Sequence, residues 1–300
     1  MRDATASGRP ATGWYGTPIW RALDRYLDAL PWPWGEEIMA ALGVARGLVV
    51  ADRRRAAFRW ASRHRSSVAR RSGLALALLA NDGRFKAMDA LLGIRDAALL
   101  HAHLTIEGAE RLQAVLERGP ALVVAFHLGP SLAGLALRAM GYPLTPLFGA
   151  GRSDRDRRAD SRLGLDPDTA IRVPLGSAEA SAAHLNVARR LLNEGRSVII
   201  NADGRHGKET FRVDIPGSAV IVRSGWLTLR RLTRAVAVPA LIRREGRQLV
   251  VAVHPPLPDP DPDATRDLEA CRAALSPIVQ DYVGRFPEQC PFPALGGSTP

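Results

Sequence analysis

Short apolar runs alternate along this chain with stretches whose apolar positions recur at helical spacing. Residues 121–127, 144–148, 171–174 and 197–202 are such runs, each flanked by helix signals. The first, Ala121-Leu122-Val123-Val124-Ala125-Phe126, is hydrophobic on both alternating faces, which predicts a buried parallel strand. Helical spacing is found over 19–30, 108–117, 131–140 and 178–193, the last stopping at Gly195, and again at Val222, Trp226, Leu229 and Leu232. Residues 239–244 and 248–254 flank Glu245-Gly246 and predict an antiparallel hairpin at the sheet edge. A Pro-Asp loop over 256–263 precedes a final helix over 264–283, which Pro277 is expected to kink or split. Alternating strands and helices define an α/β protein: a largely parallel central sheet flanked by helices on both faces, with an N-terminal helical segment. Residues 1–17 are polar and expected to be loose, 18–104 form a helical region, and 105–295 form the α/β core, one domain with the preceding helices.

Composition narrows the class. With 46% hydrophobic residues the chain has ample core, and a disordered protein is excluded. Two cysteines, Cys271 and Cys290, are too few for a disulfide framework and lack metal-ligand spacing, so neither a structural metal nor a catalytic cysteine is expected. Lys+Arg of 41 against Asp+Glu of 30 gives a net charge of +11, which favours polyanionic partners: a membrane surface, a phosphorylated substrate, an acyl carrier or nucleic acid. No stretch approaches the ~20 apolar residues needed to cross a bilayer, and residues 1–10 lack a signal-peptide core. Pro31-Trp32-Pro33-Trp34 suits either an interfacial anchor or core packing. Arg53, Arg54, Arg55, Arg59, Arg63, Arg65, Arg70 and Arg71, with Phe58, Trp60 and Val68 between them, suit either a membrane-surface helix or a solvated arginine face.

The candidate chemistry lies where two of the runs end. His127 follows the first run and precedes Leu128-Gly129-Pro130-Ser131 and a helical pattern, so that Pro130 is expected at the first helical position with Gly129 as cap. That puts a histidine at the carboxyl edge of a strand, where open α/β sheets bind ligands. The run 197–202 delivers Asp203 to the same edge, followed by Arg205, Lys208 and Arg212 on a glycine-containing loop able to surround a phosphate. An Asp-Gly pair after a strand is also an ordinary turn. Ser131 lacks the strained setting of a nucleophile elbow and is read as a first-turn helix residue.

The order of these segments resembles the lysophospholipid acyltransferase superfamily, in particular its branch of bacterial lipid A late acyltransferases of the lauroyl/myristoyl type. The resemblance is carried by Thr105-Ile106-Glu107-Gly108-Ala109-Glu110, the strand to His127-Leu128-Gly129, the strand 197–203, Ile215-Pro216-Gly217, Ala235-Val236-Ala237-Val238-Pro239 and Arg285-Phe286-Pro287-Glu288-Gln289, spanning residues 20–295. It implies that His127 is a general base acting on a hydroxyl or amine of a lipid or glycolipid acceptor. The donor would be acyl-CoA or acyl-acyl-carrier protein, a substrate rather than a cofactor, so no cofactor is expected. Arg205, Lys208 and Arg212 would then hold phosphate, and backbone amides near Gly129 the oxyanion. The resemblance also implies a cytoplasmic protein, peripheral on the anionic inner face of the cell membrane.

The chain departs from that family at one position. The family's pattern places an acidic residue five positions after the histidine, and this chain has Leu132 there. Three readings follow. Asp203 supplies the missing carboxylate from the adjacent strand and the protein is an acyltransferase; or the protein is a catalytically silent relative that binds lipid or acyl carrier; or the arginines serve nucleic acid. The last is disfavoured by the lack of a recognised module, and no nucleic-acid partner is expected.

Overall fold

The computed structural model describes residues 32–92, 101–149, 171–173, 178–203 and 209–290. Three helices come first, α1 (Trp32–Val49), α2 (Ala51–His64) and α3 (Val68–Leu92). The expected helix over 19–30 lies outside the described residues, and α1 opens at Trp32. Pro33 sits in the first turn of α1, where a missing N–H costs no hydrogen bond. Helices α1 and α3 touch backbone to backbone: a Cβ on Gly43 would overlap the Leu79 carbonyl oxygen, and one on Gly83 the Met39 carbonyl oxygen. Arg53 of α2 pairs with Asp82 of α3, and Trp60 of α2 is buried.

The sheet follows. Its strands are β1 (Leu104–Glu107), β2 (Ala121–Ala125), β3 (Leu144–Gly149), β4 (Ile171–Val173), β5 (Ser197–Asn201), β8 (Val236–Glu245) and β9 (Gln248–Val253), in the order β1-β9-β8-β2-β5-β3-β4. Strands β8, β2, β5, β3 and β4 run parallel. The β8–β9 hairpin reverses direction, and β1 pairs parallel to β9. The hairpin is as expected, but the sheet edge beyond it is β1, a strand the apolar pattern did not reveal. Only Leu104 of its four residues is buried, too little for a visible run. A second sheet pairs β6 (Glu209–Ile215) with β7 (Ser218–Arg223), where the sequence suggested a loop at Arg212 and helical spacing from Val222.

Helices α4 (Ala109–Leu116), α5 (Ala133–Ala139), α6 (Ala178–Asn193), α7 (Gly225–Thr233) and α8 (Ala264–Arg285) complete the described elements with a short 3₁₀ turn, Pro287–Gln289. Asp263 caps α8 by accepting from the Thr265 and Arg266 amides, and the helix runs unbroken through Pro277 rather than splitting there. On one face of the sheet Leu122, Val124 and Phe126 pack with Trp226 of α7 and Leu275 and Val279 of α8. On the other, Val123, Ala125 and Ile199 pack with Leu132, Leu135 and Ala136 of the α5 segment. Burying such Leu, Val or Ile side chains contributes about 1.5–3 kcal/mol each. Between α7 and α8, Arg230 and Asp267 form a buried pair at 3.3 Å, and the guanidinium also donates to Cys271 Sγ and to the Pro258 carbonyl.

Candidate active site

Strands β2 and β5 lie side by side in register, Ala125 opposite Asn201, and the Ala202 amide donates to the Ala125 carbonyl at 2.8 Å. Both strands therefore leave the sheet at the same level. Side chains alternate between faces along a strand, so Asn201 at the end of β5 shares the face of Ile199, and His127 and Asp203 follow just past the two strand ends. Val123, Ala125 and Ile199 face the side of the sheet that α5 covers.

The geometry at that edge is tight. The His127 backbone N–H donates to both Asp203 carboxylate oxygens, each at 2.9 Å, and Nδ1 of the ring lies 2.9 Å from Asp203 Oδ1. A carboxylate only accepts, so Nδ1 carries the proton and donates it. Asp203 is 9% exposed and His127 44%, so an inner acid holds an outer ring that solvent and ligands reach. Hydrogen bonds to an ionised, poorly hydrated acceptor are short and about twice as strong as neutral ones. Asp203 thus grips the same residue by main chain and by ring.

Leu132 explains itself from its surroundings. At 7% exposed it is packed with Ala133, Leu135 and Ala136 at the start of α5, a core position where a carboxylate would lose its hydration. The expected helix start needs correcting: α5 begins at Ala133, not at Pro130, and Leu132 is its cap residue. Gly129 and Ser131 both have positive φ, 73° and 35°, and they turn the chain before the helix can start. At Gly129 this conformation is demanded by close packing, since a Cβ would overlap the Ile242 carbonyl oxygen and the Tyr282 hydroxyl.

The Gly129 amide is already engaged, donating to the Gln289 carbonyl at 3.1 Å. In this arrangement it holds the loop in place. The 3₁₀ turn at Pro287–Gln289 is the other half of that contact. Its three successive carbonyls accept from Trp60 Nε1 (2.8 Å), Asn81 Nδ2 (2.9 Å) and the Gly129 amide, joining α2, α3 and the His127 loop. The Gln289 side chain bonds both the amide and the carbonyl of Arg244 at the end of β8, each at 2.8 Å.

Of the cations expected to hold phosphate, Arg205 and Lys208 lie outside the described residues, and Arg212 is on β6 with its side chain exposed. The residue that sequence reasoning missed is Asn201, whose Nδ2 lies 3.2 Å from His127 Nε2. Its signal was its position as the last residue of the run that delivers Asp203, two residues before that acid. Away from the site, burial lowers the His254 and His64 pKa values, and for His64 the neighbouring Arg65 and Arg63 charges lower it further. The buried Cys271 thiol is pushed up to about 11 by burial, and burial raises Cys290 as well, which disfavours the reactive thiolate at both.

No family model matches the chain, and no curated protein matches it significantly. Among solved structures, the chain is similar to the 1-acyl-sn-glycerophosphate (LPA) acyltransferase PlsC from Thermotoga maritima. The identity is 15%, over 87% of this chain and 95% of that chain, with a TM-score of 0.42. At that distance nothing about activity passes from one protein to the other.

Proposed function

We propose that the protein is an acyltransferase that moves a fatty acyl group from an acyl thioester to a hydroxyl or amine of a lipid or glycolipid acceptor. The observation that carries this reading is the His127–Asp203 contact: a half-exposed imidazole at a sheet's carboxyl edge, its Nδ1–H held by a nearly buried carboxylate. The order of sequence blocks that resembles the lipid A late acyltransferases supports the choice of reaction, and Asp203 answers the main argument for a silent relative, the loss of an acid at position 132.

In this mechanism the acceptor's hydroxyl or amine gives its proton to His127 Nε2 as its oxygen or nitrogen bonds to the thioester carbonyl carbon. The tetrahedral intermediate collapses with cleavage of the C–S bond, and the proton passes from Nε2 to the leaving thiolate. Ester or amide and free thiol are the products, and His127 returns to its neutral form. Asp203 stabilises the intervening imidazolium and stays ionised. General-base catalysis of this kind contributes about 10²–10⁴-fold in rate.

A peripheral place on an anionic membrane completes the proposal. Of the exposed large apolar side chains among the described residues, all but Leu232 belong to α1–α3 and their turns, including Trp34 (66% exposed), Val49 (83%) and Val68 (76%). Arg54, Arg55, Arg65, Arg70 and Arg71 stand beside them on exposed positions or at their edges. Apolar tips flanked by arginines suit the headgroup boundary of a bilayer, and no described helix is long and apolar enough to cross one. The test is thiol release from acyl-CoA or acyl-acyl-carrier protein with a panel of lipid and glycolipid acceptors. Turnover that falls at least 100-fold in His127→Ala supports the mechanism; unchanged turnover in that variant excludes it.

A further inference from the structure

Asn201 ends β5, and the proposed proton transfers do not involve it. Yet the His127 ring is met on both nitrogens by side chains from this one strand end: Asp203 Oδ1 at 2.9 Å from Nδ1, and Asn201 Nδ2 at 3.2 Å from Nε2. With the proton on Nδ1, Nε2 presents a lone pair, and the carboxamide N–H₂ is the end of Asn201 that can bond it. The register that sets Asn201 opposite Ala125, and the short turn that carries Asp203 just past the end of β5, bring both groups to the ring.

A ring held by Asp203 at Nδ1 alone can still rock about its Cβ–Cγ bond, and its tautomer rests on a single hydrogen bond. Two clamps fix both the tautomer and the plane. A carboxamide suits the second position because it is uncharged: it bonds the neutral ring without drawing a proton onto it, as a carboxylate would, and its hydrogen bond is weak enough to yield to an incoming hydroxyl or amine.

Building on the acyl-transfer reading, we propose that Asn201 is a positioning residue for the general base. It donates to His127 Nε2 in the resting site, keeps the ring in the Nδ1–H form, and gives up the lone pair when the acceptor binds. The acceptor then delivers its proton to the nitrogen that Asn201 has vacated.

The experiment is ring ¹⁵N NMR of histidine-labelled full-length protein, with the His127 signals assigned by their loss in His127→Ala, alongside the pH dependence of kcat/KM. In Asn201→Asp a second carboxylate faces Nε2, so the His127 titration midpoint and the acidic limb of kcat/KM are both expected to rise by about one pH unit or more. In Asn201→Ala, Nε2 loses its donor, and its resonance is expected to move toward that of an unbonded pyridine-type nitrogen at neutral pH. The strand ends around the ring also bring Asp203 from β5 and Arg223 from β7, whose amide donates to the Ala202 carbonyl at 2.7 Å. Both are kept in each variant, so a shift reports position 201. A His127 midpoint in Asn201→Asp within 0.3 pH unit of wild type, or an unmoved Nε2 resonance in Asn201→Ala, overturns the proposal. The ring spectra are read without turnover, so failure of the acyl-transfer reading leaves this test standing.

Discussion

At the scale of single residues, the site depends on main-chain geometry as much as on the chemistry of its side chains. Asp203 accepts from the His127 amide as well as from its ring, so the loop leaving β2 is pinned by the same group that orients the imidazole. Gly129 is the next point of constraint. Its left-handed conformation alone costs a non-glycine residue about 1–2 kcal/mol, and the Ile242 carbonyl and Tyr282 hydroxyl leave no room for a methyl group. Gly129→Ala is therefore expected to lower stability by more than that conformational cost and to loosen the His127 loop. Chemical denaturation and the His127 ring spectrum measure the two effects; a wild-type midpoint with an unchanged spectrum would show that the loop has slack the packing denies. Leu132 belongs to this scale too. Sequence reasoning flagged it as a defect in a dyad, whereas in the fold it is a core residue capping α5.

At the scale of elements, much of the architecture was legible because period and length agree. Helix α6 begins and ends where its apolar spacing does, and β2 and β5 are continuous apolar runs because both their faces are covered. The alternation of such runs with helices also made the edge bearing His127 and Asp203 readable. What stayed hidden had a local signature that was weak or misleading. Strand β1 is mostly solvated, and β7 was absorbed into the helical pattern that follows it. The contact between Gln289 and Gly129 joins residues far apart in sequence, which no periodicity encodes. The helices α1 and α2 carry their own prediction. Arg53 is held by Asp82 and has a structural task, whereas Val49, Arg54 and Arg55 form an apolar tip with neighbouring charge. Each arginine near an anionic surface contributes about 1 kcal/mol. Val49→Asp combined with Arg54→Ala and Arg55→Ala is expected to weaken sedimentation with phosphatidylserine-containing vesicles by tenfold or more. Equal binding would remove these helices from the membrane contact.

At the scale of the whole molecule, the fold places a wet, polar edge beside a dry, two-sided core, and pH acts on the two differently. The pKa of His254 is lowered from 6.5 chiefly by burial, and that of His64 likewise. A histidine whose folded value lies below its unfolded one contributes stability that is complete above the unfolded pKa and is lost as pH falls toward the folded value. Melting temperature is accordingly expected to drop between pH 7 and pH 5.5, and the combined His64→Gln and His254→Gln variant to show a shallower drop; an equal slope in both proteins would assign the loss to other groups. The central claim is that His127 and Asp203 act as one unit, and the most direct measurement is a double-mutant cycle on acyl transfer. Asp203→Asn is expected to lower kcat by about 10²–10⁴-fold, and adding it to His127→Ala is expected to cost little more than His127→Ala alone. Wild-type turnover in Asp203→Asn, or losses that multiply in the double variant, would contradict a shared role for the pair.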